Sequence, residues 1–279
     1  MQTPRCREKF REGSLGFNFT QFFFASLALG IALRIPSAAL AAPAPSASTV
    51  SVAAAANLIY VLDALDAAFT RQGDHSVVTI ASGASGNLAA QIRNGAPYDV
   101  FLSADPVHIR SLIVSGHADE QSFAVFAHGQ LVLWTTRPSI RLTEIATAIN
   151  DTRVNRIAIA NPITAPYGAA AKAVLDRLNL WSAAQTRLVF GESIAQTAQF
   201  VETGNADIGF VALSLVLAPQ LKNKGQWIPV PDELHPPLLQ AAVLTERGTK
   251  NPAAKRYLAF LRGEEARQIL KRFGYLIPE

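Results

Sequence analysis

The feature of this sequence that most limits its fold is a recurring junction: a short apolar run, a turn of small residues, then a stretch with helical spacing. It occurs first at residues 49–55, where T-V-S-V-A-A-A reads as a strand and Leu58, Val61, Leu62, Leu65 and Phe69 follow at helical intervals until Gly73. It recurs at 77–81, which runs into S-G-A-S-G-N (82–87) and a short helix carrying Leu88 and Ile92 as far as Gly95. Further strands are expected at 99–103, at 156–160 before N-P-I-T-A-P-Y-G and a helix from Ala169, at 188–190 before a helix from Ser193, and at 208–212. One long amphipathic helix, or a broken pair, closes the chain over 252–273. Such alternation predicts an α/β protein with mostly parallel sheets flanked by helices. A length of 279 residues allows one large domain or two lobes, and two lobes are expected. The segments 130–135 and 239–244 are candidate crossings between them, although a single doubly wound sheet fits the pattern equally.

The N-terminus reads differently. Arg5, Arg7, Lys9 and Arg11 precede an apolar run over 17–33, and Ala39-Leu40-Ala41 follows Arg34. This order is that of a secretory signal peptide over residues 1–41, cleaved near Ala41, with a Pro-rich leader at 42–48. Removing residues 1–41 takes away five basic and two acidic side chains, so the net charge drops from +4 to +1 and a basic, nucleic-acid-binding reading loses its support. The single cysteine, Cys6, leaves with the signal, so the mature chain has no disulfide, thiol nucleophile or thiolate metal site. A hydrophobic fraction of 49% against 16% charged residues suits a packed, exported globular protein, expected in the periplasm.

Four turns share one physical property, that each leads from a strand into a helix start: Ala56-Asn57, Ser85-Gly86, Tyr167-Gly168 and Ser193-Ile194. A helix start presents backbone N–H groups without intrahelical partners and the positive end of the helix dipole, so it attracts an anion without a cationic side chain. Asn57 and Ser85 add candidate side-chain donors, and Gly86 and Gly168 allow close backbone approach to a ligand. Ordinary helix capping is the plainer reading of Asn57, Ser85 and Ser193, and packing beside Pro166 that of Tyr167. The stretch G-A-S-G-N resembles a nucleophile elbow but has Asn87 where the second glycine belongs, which speaks against a secreted serine hydrolase. His75, His108, His117, His128 and His235 have no ligand spacing, Asp99 and Asp105 read as strand-end residues, and no phosphate-loop or dinucleotide string occurs. No metal site or cofactor is expected.

The strings V-A-A-A-A-N-L (52–58), S-G-N-L-A-A-Q-I (85–92), G-A-P-Y-D-V-F-L-S-A-D (95–105) and F-G-Y (273–275) resemble the periplasmic molybdate-binding protein family over nearly the whole mature chain. The resemblance implies a type II periplasmic-binding fold of two lobes, 49–129 with 240–279 as lobe I and 130–239 as lobe II. It implies a tetrahedral oxyanion, molybdate or tungstate, held between the lobes by neutral donors, and the membrane permease of an ATP-binding-cassette transporter as partner; a monomer is expected. Carried over position by position, Ala56 and Asn57 match the first ligand turn, Ser85 the second, Tyr167 the third, and Ile194 a backbone donor. Ala212 stands where some members carry a ligand tyrosine, and the P-Y-G turn with Tyr167 supplies the alternative; if its hydroxyl donates to the anion, Tyr167→Phe costs about 1–2 kcal/mol of binding. Ala56 departs from relatives that carry a hydroxyl there. Sulfate, phosphate and organic-acid receptors on the same scaffold are the competing expectations.

Overall fold

Seven residues with no helix-favouring spacing, Thr49–Ala55, form strand β1, and all of them are buried except Thr49, which is exposed, and Ser51, which is half-buried. The computed structural model describes residues 48–73 and 76–278; the expected signal peptide, residues 42–47 of the leader and His75 lie outside them. A short 3-10 turn (Ala56–Leu58) carries β1 into α1 (Ile59–Arg71), followed by β2 (Val77–Gly83), α2 (Ser85–Arg93), β3 (Val100–Ser103), α3 (Pro106–Val114) and β4 (Ala124–Gly129). Next come β5 (Leu131–Thr135), α4 (Ile145–Asn150), β6 (Ile157–Ala160), α5 (Pro166–Arg177), α6 (Trp181–Ala184), β7 (Leu188–Gly191), α7 (Ile194–Glu202), β8 (Ile208–Ala212), α8 (Leu213–Val216) and β9 (Gln226–Pro229). The chain ends with β10 (Leu238–Leu244), α9 (Pro252–Leu261) and α10 (Glu264–Arg272), so the broken pair of C-terminal helices is the form observed.

These strands make two five-stranded sheets of the same design, ordered β2-β1-β3-β10-β4 and β7-β6-β8-β5-β9. In each, three neighbouring strands run parallel and the fourth in the order, β10 or β5, is antiparallel to both its neighbours. The expected crossings at 130–135 and 239–244 are refined by this pairing. Both segments are committed to ladders within one sheet, so the chain changes sheets at Gln130 and again in the link between β9 and β10. That link holds Pro231, Pro236 and Pro237, which lack the N–H a ladder needs. Helix α5 starts at Pro166 rather than at Ala169, because proline at the first helical position has a preset φ and no N–H to leave unpaired.

Both faces of the first sheet are covered. Leu58, Leu62, Leu65 and Phe69 pack with Tyr257 and Leu261 on one face, and Leu88, Ile92, Ile109 and Leu112 cover the other. Each such leucine contributes about 1.5–3 kcal/mol by leaving water. The acid just ahead of an inner strand is used alike in both sheets. Asp99 accepts from Ser51 N at 2.9 Å and pairs with Arg247, and Asp207 accepts from Asn155 N and Arg156 N at 2.6 and 2.8 Å and pairs with Arg137. Each carboxylate thereby ties the start of its own strand to its parallel neighbour.

One carboxyl in the first core is held against its preference. Tyr257, fully buried and edge-on to Phe69 with ring centroids 5.2 Å apart, donates its hydroxyl to Asp66 Oδ1 at 2.7 Å. Burial pushes the Asp66 carboxyl up to about 6; the Tyr257 bond opposes the rise and the nearby Asp63 charge adds to it. A folded pKa above the unfolded one means the carboxyl costs nothing below about pH 4 and destabilises the fold increasingly as pH rises through about 6. Asp66→Asn keeps the acceptor and removes the charge. Its unfolding midpoint is expected to match wild type at pH 4 and to exceed it by about 2–4 °C at pH 8, on the order of 1 kcal/mol after allowance for partial exposure. Thermal melts at the two pH values check this; equal midpoints at pH 8 would contradict it.

Candidate functional site

The carboxyl ends of β1, β2, β3, β6 and β7 converge on one small cavity between the two sheets. It is lined by Ala55, Ala56, Asn57, Gly83, Ala84, Ser85, Ala104, Ala165, Pro166, Tyr167 and Ile194, around about 190 Å³ of unfilled space, part of it open to solvent. Strand ends of this kind are where ligands of open α/β sheets sit. The five residues singled out in the sequence, Ala56, Asn57, Ser85, Tyr167 and Ile194, all stand on this lining and all are buried. No side chain on it is a lysine, arginine, histidine or carboxylate.

The local geometry turns backbone donors toward this space. Ser193 caps α7, its Oγ accepting from Gln196 N at 3.3 Å, and Thr197 N bonds to Ser193 O at 3.0 Å. The N–H of Ile194 lies ahead of both and has no place in the helical ladder. In α5 the corresponding first bonds are Gly168 N and Ala169 N to Ala165 O, at 2.9 and 3.0 Å, which leaves the Tyr167 N–H in the same position. Capping does not explain Asn57 or Ser85: the residues in the N-cap positions are Ala55 and Ala84, neither with a side-chain cap bond. Ser85 Oγ instead accepts from Ala104 N at 3.0 Å, so its hydroxyl hydrogen remains free to donate.

Two side chains behave otherwise than the sequence suggested. Asn57 cannot donate its amide to a guest. Gln240 Nε2 donates to Leu238 O at 2.9 Å, so Gln240 Oε1 is an acceptor, and it takes Asn57 Nδ2 at 2.7 Å; the second amide hydrogen goes to Tyr275 Oη at 2.8 Å. The Asn57 Oδ1 that remains is buried without a hydrogen-bond partner among the described residues, and an anion would be repelled by it. The Tyr167 hydroxyl lodges against Gly129, where an added Cβ would overlap it, close to Gln240; neither residue lines the cavity. It too has no partner among the described residues, and burial, with Tyr275 beside it, holds the phenol well above its ordinary pKa.

Gly86 and Gly168 do permit a close backbone approach, but to the protein itself. Neither lines the cavity. A Cβ on Gly168 would overlap the Ala160 carbonyl, and one on Gly86 would stand 3.0 Å from Thr164 O and 2.9 Å from His108 Nε2. Gly86 N donates to Thr164 O at 2.9 Å, a bond from α2 of one sheet to the loop before α5 of the other, which closes one edge of the cleft. Beside this seam Asp105, the N-cap of α3, holds His108 Nδ1 at 2.8 and 2.9 Å. Burial works to raise the Asp105 pKa, but the bonds and charge of His108 outweigh it and bring the carboxyl below its ordinary value. This acid–imidazole pair resembles half of a hydrolase triad, yet Ser85 is fully buried and its Oγ is bonded to Ala104 N.

Sequence reading did not single out Ala104, nor Ala55, Gly83, Ala84, Ala165 and Pro166 on the same lining. Ala104 directly follows the third parallel strand of the first sheet, whose neighbours end at Ala55 and Gly83, and equal treatment of that strand end would have found it. Among the described residues no group of three or more His, Cys, Asp or Glu is placed to hold a metal ion.

Against known proteins, the family model for bacterial extracellular solute-binding protein matches residues 50–276. The chain is 39% identical to the molybdate-binding protein ModA of Rhodobacter capsulatus, over 90% of this chain and 94% of the relative. It is 40% identical to ModA of Azotobacter vinelandii, over 80% and 88%. The solved structure of the Azotobacter vinelandii periplasmic molybdate-binding protein superimposes with a TM-score of 0.77 at 35% identity, covering 82% of this chain and all of that one.

The unpaired phenol gives a test of this geometry. A buried hydroxyl without a partner costs free energy, so Tyr167→Phe is expected to raise the melting midpoint of the ligand-free protein by about 1–4 °C. A lower midpoint would mean that the hydroxyl is bonded in solution.

Proposed function

The chain belongs to the bacterial extracellular solute-binding protein family, and from that premise we propose that it captures molybdate, or the nearly isosteric tungstate, between its two sheets for a membrane transporter. The observation that carries this reading is the lining itself: eleven residues from five strand ends, none charged, with helix starts from both sheets. A hydrated dianion entering such a cleft exchanges water for fixed N–H donors, and those of Ala56, Asn57, Tyr167 and Ile194, with the N–H and hydroxyl of Ser85, are the candidates. Each charge-assisted bond is stronger than a neutral one, and helix dipoles supply the positive potential that no side chain gives.

On this reading lobe I is 49–129 with 240–279 and lobe II is 130–239, and strand pairing supports a division near these points. Closure of one upon the other, at a seam such as Gly86 N to Thr164 O, buries the guest and offers the permease of an ATP-binding-cassette transporter a distinct shape. The basic and apolar N-terminus supports export to the periplasm with cleavage near Ala41, and the protein acts there as a monomer and not as an enzyme. Sulfate shares the charge and shape of molybdate but has shorter bonds, so a cage of fixed donors discriminates by size.

Calorimetry on residues 42–279 is expected to show tight binding of molybdate and tungstate and much weaker binding of sulfate and phosphate; sulfate bound as tightly as molybdate would end the reading. The only titratable side chain on the lining is Tyr167, whose phenol burial keeps protonated. Molybdate affinity is therefore expected to be flat from about pH 7 to about pH 9, and a fall across that range would place a titrating cation at the site. The Asp105–His108 pair is the one observation favouring a serine hydrolase, which predicts labelling of Ser85 by a fluorophosphonate; none is expected.

A further inference from the structure

The C-terminal F-G-Y segment, so far without a role, lies directly behind the first helix start of the cavity. Tyr275 Oη donates to the backbone carbonyl of Asn57 at 3.0 Å and accepts from Asn57 Nδ2 at 2.8 Å. Ser214 Oγ, on α8 after the last parallel strand of the second sheet, donates to the same carbonyl at 2.8 Å. Both lone pairs of one buried carbonyl are thus taken, one from each side of the cleft. Tyr275 is itself fastened next to the point where the chain changes sheets. Gln130 Nε2 donates to Gly274 O at 2.6 Å, and His128 and Leu276 exchange backbone bonds of 2.7 and 2.9 Å. Gly274 has φ +80°, and a Cβ there would meet Leu213 and Leu217 at 2.8 and 2.9 Å, so the tail turns tightly against the segment that carries Ser214.

We propose that Tyr275, with Ser214 opposite it, is a positioning residue for oxyanion binding: the two hydroxyls anchor the Asn57 carbonyl and through it hold in place the short turn, Ala56–Leu58, that carries the Ala56 and Asn57 N–H groups. This rests on the functional reading above. Neither Tyr275 nor Ser214 lines the cavity, and both act on a single residue that does, Asn57. Burial raises the Tyr275 pKa, with Ser214 and Asn57 lowering it less, so the phenol stays a donor at any working pH.

The test is molybdate calorimetry at 25 °C on residues 42–279 as wild type, Tyr275→Phe, Ser214→Ala and the double variant, with Tyr257→Phe as control. Tyr257 is equally buried and its hydroxyl also donates a hydrogen bond, to Asp66, but it lies in the first core. At that temperature the chain is almost wholly folded, so lost stability alone leaves affinity unchanged, and Tyr257→Phe is expected within about twofold of wild type. Tyr275→Phe is expected to bind about tenfold more weakly and Ser214→Ala about threefold. Because the two share one carbonyl, the double variant should lose more than the product of the single losses. Tyr275→Phe and Ser214→Ala both binding like wild type would overturn the positioning role, as would a double variant whose loss equals the product. If Tyr275→Phe does not fold, Ser214→Ala against the control decides. Failure of wild type to bind molybdate is a separate result that strikes the functional reading.

Discussion

A helix cannot pair its own first N–H groups, and this structure is organised around where those groups are left. Strands β1, β2, β6 and β7 each give way within a few residues to a helix start, and because the strands are parallel within each sheet, the starts gather at one end of it. Two sheets set with these ends facing each other leave a cavity ringed by donors that the fold itself cannot satisfy. The alanines there are as important as the donors. Ala55, Ala56, Ala84 and Ala104 from the first sheet belong to one buried cluster with Ala165, Tyr167 and Ile194 from the second. Methyl groups are nearly the smallest side chains that still exclude water, so backbone from both sides can approach one small guest.

The two sheets are built alike, with the same strand order and the same use of an acid ahead of an inner strand, Asp99 in one and Asp207 in the other. The likeness ends at the cavity. The first sheet brings the Ser85 hydroxyl, whose hydrogen is free at the lining, whereas the second brings Tyr167, whose phenol is turned away toward Gly129. Every other donor facing the guest is an amide of the main chain.

Much of this was legible from spacing. Strand and helix periodicity placed the junctions, the physics of helix starts picked out the four turns, and the family resemblance implied Ala56, Asn57, Ser85, Tyr167 and Ile194 within them. What sequence could not show was the direction of side chains. Asn57 reads as a donor because its amide is one, and only the long-range bonds to Gln240 and Tyr275, 183 and 218 residues away in sequence, reveal that both hydrogens are already used. The same holds for Tyr167, whose hydroxyl lies against a glycine at the far end of another strand. Gly86 and Gly168 were read as places where the backbone approaches a ligand, but glycine spacing does not say what approaches, and here it is the carbonyls of Thr164 and Ala160. The whole of β4 and of β9 escaped notice because short antiparallel strands with mixed burial carry little periodicity.

A cage made mostly of main-chain amides has a consequence for where the rest of its design must lie. Amides cannot be exchanged by substitution, so their aim is tuned from behind, by whatever holds the peptide planes. Buried polar groups stand there: Gln240, Tyr275 and Ser214 all bond to Asn57, and Ala104 N holds Ser85. Burying such a network costs desolvation at every member, which is repaid only if each bond is made. Apart from Asn57 Oδ1, the members of this network are paired among the described residues. The absence of a hydroxyl at Ala56 then has a natural place: with the turn held rigidly by its carbonyl and its neighbour's amide, its backbone N–H can point correctly without a side chain of its own to help.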